Sequence, residues 1–200
     1  MSAGLSVAGL ILAAGESRRM GFPKALLPYR EETFLGRLAG LFAARCSPVI
    51  VVLGAEAGRI RAGVGPMGHP LATFVVNPDS ARGQTTSMQC GLRAVPPDAD
   101  GVLFTLVDHP AVAPATIDAL LAGPRATLLR VPRSNGRRGH PIWFSRELIP
   151  EFLALPETGA ARDVVRRHAA QTEFLDVDDP GILADIDDPE AYSGLTGAGA

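Results

Sequence analysis

The segment Leu12 to Lys24, LAAGESRRMGFPK, gathers small residues, free backbone amides and three cations within thirteen positions. Ala13, Ala14 and Gly15 let a base or ribose approach the backbone, while Arg18, Arg19 and Lys24 supply charge for phosphates. A nucleoside triphosphate needs all three kinds of group. The spacing is not that of a Walker A loop, since no Gly-Lys-Ser/Thr follows, nor that of a GxGxxG dinucleotide motif. The bland alternative is a solvated turn with ordinary surface charge. Downstream, Asp108 closes the apolar run LFTLVD, where a carboxylate is costly to desolvate unless a cation or hydrogen-bond donors meet it. Asp185 and Asp187 alternate about Ile186, so both face one side of an extended segment and either completes a Mg2+ site with Asp108. Of the two, Asp187 is favoured. Asp188, which precedes Pro189, is equally suited to cap a last short helix.

Two polar segments remain. NPDSARGQTTS, from Asn77 to Ser87, joins a strand to a helix whose N-terminus suits an anion or ribose, although helix capping by Thr85 or Thr86 explains the same residues. GRRGHPIWF, from Gly136 to Phe144, joins a basic turn to a buried strand. Arg137, Arg138 and His140 can receive a substrate phosphate there, with Gly139 permitting close approach. His140 can instead be a structural histidine, and for His69, His109 and His168 a structural or exposed role is the expectation. Arg162, in GAARDVVRR, can face substrate, although one half of a surface ion pair is the simpler reading.

These residues need a scaffold. The run Val7 to Ala14 is continuously apolar, as is the segment Pro48 to Gly54, and a helix-spaced stretch from Thr33 to Arg45 lies between them. That is a βαβ unit with strands buried on both faces. The alternation continues as a helix at Glu56–Val64, a strand at Ala72–Val76, a helix at Gln84–Ala94 and a strand at Gly101–Val107. The second half reads as a helix at Pro114–Leu121, strands at Thr127–Val131 and Pro141–Phe144, helices at Arg146–Leu153 and Gly159–His168, and a strand near Glu173–Val177. Loops fall at Gly63–Pro70 and Gly123–Pro132. The expected architecture is a single-domain α/β fold, a doubly wound and mostly parallel sheet over residues 1–192, with a flexible tail at 193–200.

Composition narrows the function. Two hundred residues, 46% hydrophobic and 20% charged, suffice for one domain. A net charge of −2 gives no field for nucleic acid, so a polyanion must be small and met locally. Cys46 and Cys90 lack metal-site spacing and are expected to be core residues. The apolar run at Val7 is too short to cross a bilayer and has no basic region before it, so no membrane partner is expected and the cytoplasm is the default.

The loop closely resembles the signature LAAGxSxRMGxxKxLLP of the MobA-like nucleotidyltransferases: Leu12, Ala13, Ala14, Gly15, Ser17, Arg19, Met20, Gly21, Lys24, Leu26, Leu27 and Pro28 all match it. GRRGHP resembles the GxRGHP element of the molybdenum cofactor cytidylyltransferase branch, and DIDDPEAY resembles the family's DIDTPEDY, with Asp188 and Ala191 departing from it. The resemblance implies the nucleotide-diphospho-sugar transferase type of fold. It implies a loop in which Leu12 to Gly15 and Ser17 hold the nucleotide while Arg19 and Lys24 bind its phosphates. By the same likeness, Asn77, Gly83 and Ser87 lie around base and ribose, and Asp108 binds Mg2+. The activity so implied is transfer of a nucleoside monophosphate, from CTP, to the phosphate of a molybdopterin-type acceptor, with a transient contact to a molybdoenzyme or its chaperone. Such a phosphate is already anionic, so the step needs charge neutralisation and in-line placement more than a strong base. A guanylyltransferase of the same cofactor, a transferase for another phosphorylated metabolite and a non-catalytic cofactor-binding module are the competing readings.

Overall fold

In the computed structural model, which describes residues 6–64, 72–124 and 126–197, the first half holds β1 (Val7–Ala13), the short strands β2 (Pro28–Tyr29) and β3 (Glu32–Thr33), α1 (Phe34–Ala43), β4 (Val49–Leu53), α2 (Ala57–Val64) and β5 (Ala72–Val76). The middle holds α3 (Gln84–Leu92), β6 (Gly101–Leu106), α4 (Pro114–Leu121), β7 (Leu129–Ser134), β8 (Arg137–Arg138) and β9 (Ile142–Ser145). The rest is α5 (Ile149–Leu153), α6 (Ala161–Arg167), β10 (Thr172–Asp176) and α7 (Pro189–Thr196).

The main sheet runs β10-β7-β9-β6-β1-β4-β5, with β8 paired outside this path to β7. Its partners along the path are parallel except β9, which is antiparallel to both β6 and β7. All seven residues of β1 are buried, because both faces of the sheet are covered. Val7, Ile11 and Ala13 pack on one side with Phe34, Leu38 and Phe42 of α1. Leu10 and Leu12 pack on the other with Met88 and Leu92 of α3. Alternation along one strand thus feeds two cores, and a single domain results.

The expected helices and sheet strands form, with displaced ends. β7 begins at Leu129 and runs through Pro132 to Ser134, so the loop expected to reach Pro132 ends earlier. Gly63 lies in α2, and its expected loop partners 65–70, His69 among them, fall outside the described residues. Residues 193–196, expected in a tail, form the last turns of α7, whose N-cap Asp188 accepts the Ala191 N–H at 2.9 Å. The hairpin joining β7 to β8 was not expected. Its turn is Asn135-Gly136, both with positive φ, the signature of a two-residue turn that matches strand twist.

Candidate functional site at the ends of β1 and β6

The loop leaving β1 is folded by Ser17, which has φ +49°. Its carbonyl accepts the N–H groups of Met20 and Gly21 at 3.0 and 3.1 Å, and its Oγ accepts the Lys24 N–H at 3.1 Å. The loop therefore turns back and delivers Lys24 beneath the strand ends. The result is a cleft of about 430 Å3 bounded by Leu12, Ala13, Ala14, Gly15 and Ser17, with Arg19 and Lys24 at its charged end. A Cβ placed on Gly15 would meet nothing within 4 Å. Nothing inside the protein demands glycine there.

Asp108, Asp185 and Asp187 complete this wall. Asp179 positions the last two. It accepts from the Ala113 N–H at 2.9 Å, Thr116 Oγ1 at 2.6 Å and the Gly181 N–H at 2.9 Å, pinning the chain to the start of α4. Buried Ile186 then donates its N–H to the Asp108 carbonyl at 3.0 Å. The expected alternation about Ile186 brings both carboxylates to the cleft, yet they divide. Lys24 Nζ bonds Asp108 Oδ2 at 3.2 Å and also Asp187 Oδ1, while Arg19 donates to Asp187 Oδ2 at 2.5 Å. Asp185 instead joins Asp108 and His109 in a cluster whose donor atoms lie within 4.8 Å of one another. Asp185 thus clusters with Asp108, whose Oδ1 has no partner, while Asp187, the favoured carboxylate, is held by Lys24 and Arg19 at the same wall.

Electrostatics follow this division. Burial lowers the Lys24 pKa, but the Asp187 hydrogen bond and the Asp108 charge outweigh it, and the ammonium is held above its ordinary value. The Lys24 hydrogen bond, with help from Arg19, holds the Asp187 carboxyl below its usual range. Burial first, then the charges of Asp108 and Asp187, push the Asp185 carboxyl up. Crowded carboxylates beside an orphaned buried oxygen are of the chemistry that suits a divalent cation, and Asp108, Asp185 and Asp187 are the carboxylates at this wall. Burial, reinforced by Lys24, lowers His109 to about 4.

A second cleft of about 560 Å3 adjoins the first through the shared residues Gln84 and Leu106. Arg138, Gly139, His140 and Arg162 bound it. The basic turn divides here. Arg138 stacks over Phe174 at 4.5 Å, whereas Arg137 is exposed on β8 and bounds neither cleft. Gly139 serves packing, since a Cβ would stand 2.2 Å from the Ile182 carbonyl. His140 lies against His109, ring centroids 4.9 Å apart, and burial, then the neighbouring His109, lowers it to about 4. It is neutral at neutral pH, so it offers a phosphate no charge of its own. Arg162 forms no ion pair among the described residues and borders the cleft instead, contrary to its expected surface pairing.

The Asn77 to Ser87 segment also departs from expectation. Asn77 is buried and fully engaged: its Nδ2 donates to Thr86 Oγ1 and Ser87 Oγ, both at 2.9 Å, and its Oδ1 accepts the Asp79 N–H at 3.0 Å. It braces the loop and does not border the cleft. Gly83 has φ +124° and is the N-cap of α3, with no side-chain cap there. Neither Thr85 nor Thr86 caps the helix; Thr85 Oγ1 donates to the Gly159 carbonyl at 2.6 Å and Thr86 Oγ1 to that of Gly83 at 2.8 Å. Of the three expected residues only Ser87 borders the first cleft. Ile60, Ser80 and Gln84 border it without having been singled out. Gln84 had a signal, as the first residue after Gly83 at a strand-to-helix passage.

The fold is of the nucleotide-diphospho-sugar transferase type, and a nucleotidyl transferase from Methanothermobacter thermautotroptrophicus aligns with a TM-score of 0.81 at 21% identity over 98% of each chain. The chain belongs to the MobA-like NTP transferase domain family, whose profile matches residues 9–172. It is 32% identical to the nicotine blue oxidoreductase of Paenarthrobacter nicotinovorans, over 92% of this chain and 93% of that protein. It is 27% identical to the molybdenum cofactor cytidylyltransferase of Escherichia coli K12, over 92% of each. The crystal structure of Rv0371c from Mycobacterium tuberculosis H37Rv aligns with a TM-score of 0.84 at 32% identity, covering 98% of this chain and 99% of that one. A manganese complex of that protein aligns at 0.76 and 30%, covering 96% and 99%. The names of these relatives span different activities, so the reaction must be argued from the clefts.

Proposed function

We propose that the chain transfers a nucleoside monophosphate from CTP to the phosphate of a molybdopterin-type acceptor, in a reaction that depends on Mg2+. The observation that carries this reading is the meeting of two clefts at Gln84 and Leu106, one ending in Arg19, Lys24 and Asp108, the other bordered by Arg138 and Arg162. Nucleotide occupies the first cleft, with its backbone-facing part over Gly15. The acceptor phosphate enters from the second, beside the uncapped start of α3, whose free amides and dipole favour an anion. An acceptor oxygen forms a bond to the α-phosphorus, the bond to the bridging oxygen breaks, and pyrophosphate leaves. Arg19 and Lys24 exchange their Asp187 contacts for phosphate oxygens and stabilise the charge that develops on the leaving group. Asp108 and Asp185, with Asp187 once its cations have turned to the phosphates, would hold the cation, which would supply charge neutralisation there. No covalent enzyme intermediate is needed. The lean towards CTP and a pterin acceptor rests on GRRGHP and on the cytidylyltransferase relative.

Pyrophosphate release from CTP, GTP, ATP and UTP, with and without molybdenum-loaded molybdopterin, tests the reading. Release from CTP only with acceptor is expected. A preference for GTP moves the chain to guanylyl transfer. Release from no nucleotide, with nucleotide still bound by the Asp108→Ala variant as well as by the wild type, overturns the enzyme reading in favour of a binding module.

A further inference from the structure

We propose that His109 supplies a nitrogen ligand to the divalent cation, making the metal centre Asp108, His109 and Asp185 and biasing it towards Mn2+ and Co2+ over Mg2+. The inference deepens the proposed nucleotidyl transfer and rests on it only for the purpose the metal serves. Three observations carry it. First, His109 brings a ring nitrogen within 4.8 Å of carboxylate oxygens of both aspartates, and a cation set among such atoms draws them closer, to the roughly 2.0–2.3 Å of metal–ligand bonds.

Second, the ring lacks any other partner. The His109 side chain is 8% exposed, its Nδ1 is buried without a hydrogen bond, and its Nε2 stands 3.8 Å from Asp108 Oδ1, too far for one. Only Nδ1 is buried without a partner; Nε2 is the nitrogen near Asp108 Oδ1 and has no hydrogen bond within the described residues. The ring is nevertheless held in place: the His109 N–H donates to the Leu106 carbonyl at 3.3 Å, and the His140 ring backs it at 4.9 Å. Its position is fixed while its polar atoms are left open.

Third, the oxygen facing it is open too. Lys24 takes Asp108 Oδ2 and, with Arg19, takes Asp187, whereas Asp108 Oδ1 has no partner. Mg2+ favours oxygen-only sites, whereas an imidazole nitrogen strengthens binding of later divalent ions along the Mn2+ to Co2+ series.

The test uses metal alone, without nucleotide. Mn2+-loaded protein is expected to show nitrogen coupling in pulsed paramagnetic resonance, and the coupling is expected to vanish in His109→Gln. Calorimetry should show Mn2+ affinity falling by at least about tenfold in that variant while Mg2+ affinity changes by less than roughly threefold. Should His109→Gln fail to fold, the chain carrying His69→Gln, His140→Gln and His168→Gln retains His109 alone of the four histidines, and its coupling must persist. Mn2+ bound with no nitrogen coupling in the wild type, coupling that survives His109→Gln, or no Mn2+ binding at all overturns the proposal. None of these results bears on pyrophosphate release, so a failure here and a failure of nucleotidyl transfer are separately visible.

Discussion

Two charged clusters lie within this one domain and differ in how far the fold satisfies them. Arg130 is fully buried, and each guanidinium nitrogen is used. Nε donates to Glu173 at 3.1 Å, one terminal nitrogen to the Leu120 carbonyl at 2.9 Å and the other to that of Pro124, while the plane lies 4.4 Å from the Trp143 ring. At the cleft the reverse holds. Asp108 Oδ1, His109 Nδ1 and His140 Nδ1 are buried without partners, and among the described residues only Trp143 Nε1 shares that condition. Where charge is satisfied it holds the fold together. Where it is left open, at Asp108 Oδ1, no group of the fold satisfies it.

The sharpest way to break this comparison is to neutralise Asp108. Asp108→Asn should cut kcat/KM for pyrophosphate release by roughly 10^2 to 10^3-fold, yet shift Tm by no more than a couple of degrees, as a scanning calorimeter would show. A large Tm loss would make Asp108 a structural residue like Arg130. The converse substitution, Arg130→Met, strands the buried Leu120 carbonyl and unpairs Glu173, and should cost about 3 kcal/mol, a Tm fall of roughly 6–12 °C, with turnover per folded molecule unchanged.

Gly15→Ala sharpens the contrast at a smaller scale. The added methyl meets open space in the protein, so Tm should hold while KM for the nucleotide rises roughly tenfold or more; an unchanged KM would remove the nucleotide from that cleft. The smallest effect concerns His168, a paired histidine to set against His109. Hydrogen bonds to Gln171 and then Glu151 raise its pKa above the ordinary value. A raised folded pKa contributes stability that is complete below about pH 6.5 and lost as pH climbs through the folded value. Between pH 6 and 8.5, Tm of the wild type should fall by about a degree or two relative to His168→Gln. Parallel curves would show the pair to be inert.

Much of this was legible in the residues. Continuous apolar runs fixed β1, β4 and β6, since only a sheet covered on both faces buries such segments. The Leu12 to Lys24 loop and Asp108 were readable because their polar types interrupt apolar strands at the sheet end where ligands bind. Less was readable where a side chain's partner lies far along the chain. Asn77 looks like a ligand residue, yet Thr86 and Ser87 consume its amide. Asp185 and Asp187 could each be read as a ligand, with Asp187 favoured, and only the reach of Lys24 and Arg19 shows how the fold treats them differently. His109 reads in the sequence as a structural or exposed residue, and only the fold places its ring beside Asp108 and Asp185. The β7–β8 turn, by contrast, had its Asn-Gly signal and could have been found.

Transfer itself is the claim to test first. The purified chain, a divalent cation, CTP labelled at the α-phosphate and molybdenum-loaded molybdopterin should yield label covalently joined to the acceptor in one-to-one ratio with released pyrophosphate, and Asp108→Asn should yield neither. Label that remains in CTP, or appears only as free CMP whether or not acceptor is present, would contradict a transferase built from these two clefts.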